Sequence, residues 1–499
     1  MKRKQLFALG LAMVMAFGAL AGCGDSGNTE GGSGDSSDST EAAENGNDTA
    51  DDGGSGEVVT IKIHTSGSAQ EGWDEVTAAL DEYTSEKIGV VAEWSLLPDY
   101  GNQINTIIAS GEEYDACFTS NWLNPYNVNV GKGAYMDITD LLPEAAPTLY
   151  ESYPDYLWEG ASVNNRIYAV PNQQIVARQI GLWAPKEIVE GTGTDIYAGK
   201  KLTDFKDYFQ KAYEQYGATT PGISFSEAAS YCGYEYVTDY LACGVISMDD
   251  ETAKVENFYE TDAWKSVMEE QKELRELGVV KAEEANDRQA MKVSGIYSGT
   301  YKPGVEAEES NVYGIDIVYS PTDIEPYVST SNVTGTLWAV SSTSKHPEET
   351  LKYLELLETD PYVINLIAYG IEGVHYEKVS DNVVRPIEGV SYAQQSWAWG
   401  NVFNTYTLEN QEEDVWEQTK EMNDNARKSP ILGFGFNSEP VQNELVNVNT
   451  VVTEYSGILT DERDMDELYD QFLADLEVAG VDKVIAEMQS QIDEFLANK

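Results

Sequence analysis

The stretch Val58-Val-Thr-Ile-Lys-Ile63 alternates in polarity and is rich in β-branched side chains, which predicts a β-strand. After a polar loop, apolar residues recur at helical spacing from Trp73 to Tyr83, which predicts an amphipathic helix. The alternation continues with a strand, a helix and a third strand, over Val90–Ser95, Gln103–Ser110 and Ala116–Thr119. Strands and helices that alternate in this way are typical of an α/β fold built on a mostly parallel sheet.

Further elements are predicted from their terminal signals. Pro347-Glu-Glu places a proline and two acidic residues in the first turn of a helix, and Asp360-Pro361 starts another helix that Gly370 ends. The remaining predictions are two helices and a strand, over Lys254–Leu277, Val481–Phe495 and Gly314–Tyr319.

The N-terminus has the pattern of an export signal. Lys2-Arg-Lys4 precedes an apolar run over 6–20, which is short for a membrane helix of about 20 residues and predicts a signal peptide over 1–22. The run ends in Leu20-Ala-Gly-Cys23, which is similar to the lipobox of bacterial lipoproteins. That similarity implies cleavage before Cys23 and diacylglycerol on its thiol, and several acyl chains make a firm membrane anchor. An ordinary signal peptide with an incidental cysteine, or an uncleaved anchor, is the alternative.

A low-complexity segment follows the candidate lipidated cysteine. Residues 24–57 consist of Gly, Ser, Asp, Glu, Asn, Thr and a few Ala, without an aromatic, Lys or Arg residue. Such a composition buries too little apolar surface to offset the entropy of ordering, and its like charges repel. We therefore expect residues 23–57 to form a disordered acidic linker, with the fold beginning at about Val58.

The rest of the chain has the composition of a globular protein with many aromatic residues and a strong negative charge. The whole sequence contains 31 Tyr and 10 Trp, and its formal net charge is -55. This charge argues against a nucleic acid or another polyanion as partner. Besides Cys23 there are Cys117, Cys232 and Cys243, and a pairing of the last two remains open beside reduced thiols.

Motifs for catalysis, cofactors and metals were sought without success. The sequence has no Walker-type phosphate loop, no GxGxxG, no HExxH, no paired Cys-x-x-Cys and no GxSxG. Its three histidines are far apart, so we expect no catalytic residue, no cofactor and no metal site. A glycoside hydrolase needs only two carboxylates, and 86 acidic residues leave that enzyme as an alternative without a feature in its favour.

Four stretches carry a resemblance to a known family. They are Thr336–Thr350, Tyr369-Gly-Ile-Glu-Gly-Val-His-Tyr376, Ser110-Gly-Glu-Glu-Tyr-Asp115 and Ala479-Gly-Val-Asp-Lys-Val484. They resemble the extracellular solute-binding proteins of carbohydrate ABC importers, in particular the family 1 oligosaccharide lipoproteins of Gram-positive bacteria and their characteristic C-terminal domain. The resemblance covers nearly all of the chain from Val58 to Lys499.

The resemblance implies a two-lobed α/β fold of the periplasmic-binding-protein type II, in which a hinge closes on the ligand. It places the N-terminal lobe at 58–172 plus 333–372 and the C-terminal lobe at 173–332 plus 373–499. The implied function is capture of an oligosaccharide and delivery to ABC permease subunits, by a monomer anchored to the outer face of a Gram-positive cell membrane. A protein of the same fold that binds a peptide or another solute is the alternative.

A sugar site needs flat aromatic surfaces for the C–H faces of the rings, together with amides and carboxylates for the hydroxyl groups. Nine residues in loops expected to face the cleft, or beside them, offer this mixture. They are Asn121, Trp122, Asn172, Gln173, Tyr231, Trp338, Glu372, Trp397 and Trp399. Packing in the core is the alternative for each aromatic residue, above all for Trp338 in its apolar strand.

Overall fold

The computed structural model of the chain describes residues 58–280, 297–390, 392, 394–459 and 465–499. The predicted signal peptide, the lipidated Cys23 and the linker lie outside these residues. Within the described ranges, none of the helices combines the length and the apolar character that crossing a membrane requires.

The elements follow one another with short connections. The strands are β1 Val59–Ser66, β2 Val90–Leu97, β3 Ala116–Thr119, β4 Ser162–Val163, β5 Arg166–Ile167, β6 Ala169–Pro171, β7 Gln179–Pro185, β8 Tyr234–Tyr236, β9 Gly244–Ser247, β10 Glu256–Asn257, β11 Tyr297–Tyr301, β12 Ile317–Pro321, β13 Tyr327–Val328, β14 Leu337–Val340, β15 Tyr376–Lys378, β16 Val383–Pro386, β17 Thr407–Leu408 and β18 Arg427–Lys428. The α-helices are α1 Trp73–Ile88, α2 Tyr100–Ser110, α3 Tyr126–Gly131, α4 Leu142–Ala145, α5 Pro147–Ser152, α6 Asp155–Ala161, α7 Lys186–Thr192, α8 Lys206–Tyr216, α9 Ala228–Tyr231, α10 Asp262–Glu276, α11 Val305–Tyr313, α12 Thr330–Val333, α13 Pro347–Thr359, α14 Pro361–Tyr369, α15 Val415–Asn425, α16 Gln442–Tyr455, α17 Met465–Ala479 and α18 Val481–Asn498.

The first lobe is built on a five-stranded sheet in the order β2-β1-β3-β14-β6. Strands β1, β2 and β3 run parallel, and β14 is antiparallel to both of its neighbours. Each parallel connection passes through a helix, α1 or α2, because parallel strands need a crossover. The predicted alternation of strand and helix is therefore confirmed for this part of the chain.

Two predicted elements begin later than the sequence pattern indicated. The helix predicted over Lys254–Leu277 begins at Asp262, since Glu256–Asn257 pairs with β9 instead. The Thr261 side chain accepts a hydrogen bond from the Trp264 N–H and caps the helix. The strand predicted over Gly314–Tyr319 begins at Ile317, because Gly314 has a positive φ and ends α11.

The second lobe has its own hydrophobic core. Its sheets have the orders β11-β7-β12 and β10-β9-β8, and α8, α10, α16, α17 and α18 pack around them. Among the largest fully buried side chains of this core are Trp264, Phe258 and Phe472. Cys232 and Cys243 both belong to it as free thiols, so the open question of a disulfide is answered against pairing.

Three segments pass between the two cores and lie side by side. Arg178 forms an antiparallel bridge with Tyr327, and Tyr327 is in parallel register with Arg427. The segments Gln174–Arg178, Tyr327–Ser329 and Arg427–Ser429 are called the hinge below. Main-chain hydrogen bonds thus join residues that are far apart in sequence at the point where the lobes meet.

The third hinge segment changes how residues 373–499 divide between the lobes. Tyr392, Trp399 and Ala426 pack in the first core, and Ile431 is the first residue after them in the second core. The sequence partition grouped all of 373–499 with the second lobe. Residues up to about 426 lie on the first lobe because the Trp399 ring fills space against Trp73, with ring centroids 5.4 Å apart.

Candidate functional site

A cavity of about 1650 Å³ lies between the two lobes. The hinge, the first lobe, the second lobe and the sheet β15-β16-β17 all contribute to its wall. Such a volume is larger than the roughly 300–1,000 Å³ of a site for a drug-sized molecule. The cavity therefore has room for a ligand of several rings.

The first-lobe wall presents an exposed tryptophan. The loop after β3 turns on Ser120, whose hydroxyl accepts hydrogen bonds from the N–H groups of Trp122 and Leu123. Trp122 is 59% exposed, and its indole N–H donates to the Gly335 carbonyl at 2.9 Å. The bond fixes the ring while its surface stays open, which is the arrangement required to stack on a flat ligand.

Two further residues of the sequence prediction lie beside Trp122. The Trp397 ring centroid is 6.4 Å from that of Trp122, and both rings line the cavity. Asn121 lines it too, and its amide donates to the Ser331 hydroxyl. The structure thus brings together Asn121, Trp122 and Trp397 in one wall.

The second-lobe wall carries aromatic rings that the sequence prediction missed. Trp183 stacks on Tyr313 with ring centroids 5.3 Å apart, and Tyr319 lies on the same cluster. Space for these rings is made by paired glycines on β7 and β11: a Cβ on Gly299 would lie 2.3 Å from the Tyr319 Oη. A glycine inside a strand pattern signals such a close approach, and Gly181 in Ile180-Gly-Leu-Trp183 was the available clue.

The third wall comes from the stretch that carried the family resemblance. Tyr369, His375 and Tyr376 line the cavity, and the Tyr369 hydroxyl donates to the Tyr406 carbonyl at 2.8 Å. Burial raises the pKa of both Tyr369 and Tyr376, so their hydroxyls are neutral near pH 7. The His375 Nδ1 accepts from the Ile371 N–H at 2.9 Å, which fixes the ring.

The charged side chains at the cavity are joined in ion pairs of opposite sign. Lys302 pairs with Glu308 at 2.6 Å, Arg385 with Glu409 at 3.4 Å, and Arg178 with Glu227. The lining also carries amides from Gln174, Gln394 and Gln395, of which Gln174 donates to the Thr336 hydroxyl. Paired charges and amides suit a ligand that is polar without being strongly charged.

Six of the nine predicted site residues lie outside the lining of this cavity. Trp338 is 0% exposed and Trp399 is buried beside it, with the Trp338 indole N–H donating to the Trp399 carbonyl at 3.1 Å. Both are core residues because the strand and turn that carry them face the packed side of the first lobe.

Asn172 and Gln173 are buried at the start of the first crossover. The Asn172 amide donates to the Trp397 carbonyl at 2.8 Å, and the Gln173 N–H donates to the Glu358 carboxylate at 3.2 Å. Asn172 therefore supports a wall residue, whereas its own side chain is not part of the lining.

Tyr231 and Glu372 lie elsewhere. The Tyr231 hydroxyl donates to Glu270 beside a separate cavity of about 300 Å³ in the second lobe. Glu372 is exposed, 3.8 Å from the Lys378 amine. Their neighbours in sequence gave no sign of these positions, since each depends on how distant segments pack.

Comparison with known proteins gives relatives over the whole chain. It is 28% identical, over 516 aligned residues and 100% of both chains, to a carbohydrate ABC transporter substrate-binding protein of Streptococcus pneumoniae serotype 4. The crystal structure of the N-glycan transport solute binding protein NgtS from Streptococcus pneumoniae matches with a TM-score of 0.80 and 27% identity, over 88% of this chain and 99% of that chain.

A second structure of NgtS, in complex with Man5GlcNAc, matches with a TM-score of 0.72 and 28% identity, over 88% of this chain and 99% of that chain. Residues 430–497 match the family model described as a domain of unknown function, DUF3502. That match spans the segment after the third hinge strand, where the chain enters the second core. The two-lobed α/β fold of type II predicted from the sequence is confirmed. By its sequence motifs and by its fold, the chain belongs with the solute-binding proteins of carbohydrate ABC transporters.

Proposed function

We propose that the chain captures an oligosaccharide in the cavity between its lobes. The observation that carries this proposal is the wall formed by Trp122 and Trp397, with Asn121 beside them. Aromatic faces next to amides match a sugar ring, which has C–H groups on its faces and hydroxyls at its edge.

Two other features support an oligosaccharide as the ligand. The cavity of about 1650 Å³ is lined by aromatic rings on three walls, so several sugar rings have a surface to contact. The charged groups of the lining are paired with each other, which favours a ligand without strong charge. The related NgtS has been solved with Man5GlcNAc bound, and we extend the ligand class of that relative to this chain.

The chain acts in uptake and has no catalytic activity in this proposal. It is lipid-anchored at Cys23 on the outer face of the cell membrane, as a monomer, and delivers its ligand to ABC permease subunits. The acidic segment 23–57 gives the folded part freedom to reach the permease. Mass spectrometry of the N-terminal peptide from membranes tests the anchor: diacylglycerol on Cys23 is expected, and a free thiol there contradicts it.

A thermal-shift series tests the ligand class. A ligand that binds only the folded chain stabilises it by about 2.7 kcal/mol at a hundredfold excess over Kd. We expect Man5GlcNAc and other oligosaccharides to raise the unfolding temperature, and peptides of similar mass to leave it unchanged. A shift with peptides alone refutes the proposal, and shortened glycan products after incubation refute the absence of catalysis.

A further inference from the structure

Helix α15 connects the cavity with the hinge. Trp416 and Thr419 line the cavity, and Asn423 follows on the same helical face. Because these positions are three and four residues apart, one face of a single helix contacts the ligand space at one end and the first hinge segment at the other.

Asn423 holds the main chain of that hinge segment through three hydrogen bonds. Its Oδ1 accepts from the N–H groups of Val176 and Ala177, each at 2.9 Å, and its Nδ2 donates to the Gln174 carbonyl at 2.6 Å. Asn423 is 2% exposed. Gln174–Arg178 both lines the cavity and passes between the lobes, so this one side chain fixes the shape of a segment that any lobe movement must bend.

Both ends of α15 are held as well. At its start Val415 packs against Gly304 of the second lobe, where an added Cβ would lie 2.4 Å from the Val415 Cγ2. At its end the Lys428 amine, from the third hinge segment, donates to the carbonyls of Asn423 at 2.8 Å and Ala426 at 2.7 Å. The helix therefore contacts the second lobe, the cavity and two of the three hinge segments.

We propose that Asn423 is a positioning residue for ligand capture: it fixes the first hinge segment on the helix that lines the cavity, and so sets the separation of the lobes before the ligand arrives. The proposal rests on the proposed function for the identity of the ligand. Without these hydrogen bonds the hinge samples more conformations, and binding must then order it, which lowers the affinity.

Asn365 is a matched control for the loss of stability. It is 3% exposed, and its amide donates to the carbonyls of Pro361 at 2.7 Å and Asn404 at 2.8 Å. Its Oδ1 accepts from the Tyr406 N–H at 2.7 Å. Asn365→Ala thus removes three main-chain hydrogen bonds of a buried asparagine, as Asn423→Ala does, but outside the hinge.

The test compares Asn423→Ala with Asn365→Ala by small-angle X-ray scattering and by calorimetric titration with Man5GlcNAc. We expect Asn423→Ala to shift the radius of gyration of the ligand-free chain, to recover the wild-type value when saturated with glycan, and to weaken binding about tenfold. Asn365→Ala is expected to lose similar thermal stability while keeping the wild-type scattering and affinity. Equal changes in both variants, or none in Asn423→Ala, overturn the proposal.

A second variant covers the case that Asn423→Ala does not fold. Asn423→Asp keeps an acceptor for Val176 and Ala177 and loses only the donor to Gln174, so an intermediate shift in both readouts is expected. Wild-type scattering and affinity in Asn423→Asp overturn the proposal. The scattering of the ligand-free chain needs no glycan, so a failure of the oligosaccharide assignment is told apart from a failure of this inference.

Discussion

At the scale of single residues, Trp122 and Trp338 show that the same side chain has opposite uses within one lobe. Trp122 exposes 59% of its surface and is tied down only by its indole N–H and one neighbouring ring. Trp338 is enclosed by Trp94 and Phe118 with ring centroids 5.8 Å and 6.1 Å away. The first is available to a ligand and the second holds the core together.

Trp122→Ala is expected to weaken oligosaccharide binding about tenfold or more, since a central aromatic contact of an interface carries much of its binding energy. The free energy of unfolding should change by less than about 0.5 kcal/mol, because the ring is largely exposed. Calorimetric titration and urea unfolding measure the two quantities. Tyr213→Ala, an exposed ring on α8 away from the cavity, is the control and should change neither. Unchanged affinity in Trp122→Ala contradicts the site.

Glu235 is a buried carboxyl group at the hinge. It is 6% exposed on β8 and accepts a hydrogen bond from the Tyr327 hydroxyl at 3.0 Å. Burial raises its pKa to about 7, opposed by the hydrogen bonds of Ser429 and Tyr327. The folded chain therefore holds this proton more tightly than the unfolded chain. The stability that the group contributes is fully present below about pH 4.5 and is lost as the pH rises towards 7.

Glu235→Gln should remove this pH dependence, because the amide keeps an acceptor for Tyr327 and does not ionise. At pH 8 the variant is expected to gain up to about 3 kcal/mol in the free energy of unfolding, and at pH 4 to gain little. Urea unfolding across this pH range measures the difference, with the exposed Glu413→Gln as control. The same slope with pH in Glu235→Gln and in the wild type refutes this role.

At the scale of elements, the start of α1 is fitted to the cavity wall. Gly72 precedes the helix with a φ of 91°, and a Cβ there would lie 2.4 Å from the His375 Nε2. Gly89 at the end of the same helix has a φ of 69° with open space around it. The two glycines share the left-handed backbone but differ in what surrounds them.

Gly72→Ala should therefore destabilise the chain more than Gly89→Ala. Both substitutions cost about 1–2 kcal/mol for the left-handed conformation, and Gly72→Ala must also displace His375. Chemical unfolding of the two variants measures the difference, and glycan titration of Gly72→Ala should show weaker binding as well. Equal losses of stability in the two variants contradict the contact.

The elements were predictable from the sequence where the signals are local. Pro347 and Asp360 begin their helices as predicted, and the Asp360 carboxylate accepts from the Tyr362 N–H at 2.9 Å. Of the site, Asn121, Trp122 and Trp397 lie in the cavity wall, because polar loop neighbours indicated exposure. Trp183 was missed since an apolar strand surrounds it, and the space above it depends on Gly299 in another strand.

At the scale of the whole molecule, the hinge could not be predicted from local patterns. Its segments meet through Arg178, Tyr327 and Arg427, which are separated by 149 and 100 positions along the chain. Main-chain pairing between such distant residues leaves no periodic signal. The family resemblance supplied the two lobes, whereas the third passage near Ile431 follows only from the packing of the two cores.

The central claim is that the cavity between the lobes binds an oligosaccharide, and calorimetric titration with Man5GlcNAc tests it most directly. The wild-type chain should give saturable binding at one site, quench or shift its tryptophan fluorescence through Trp122 and Trp397, and bind a peptide of equal mass not at all. No binding of any oligosaccharide, or binding that survives Trp122→Ala unchanged, would contradict the account.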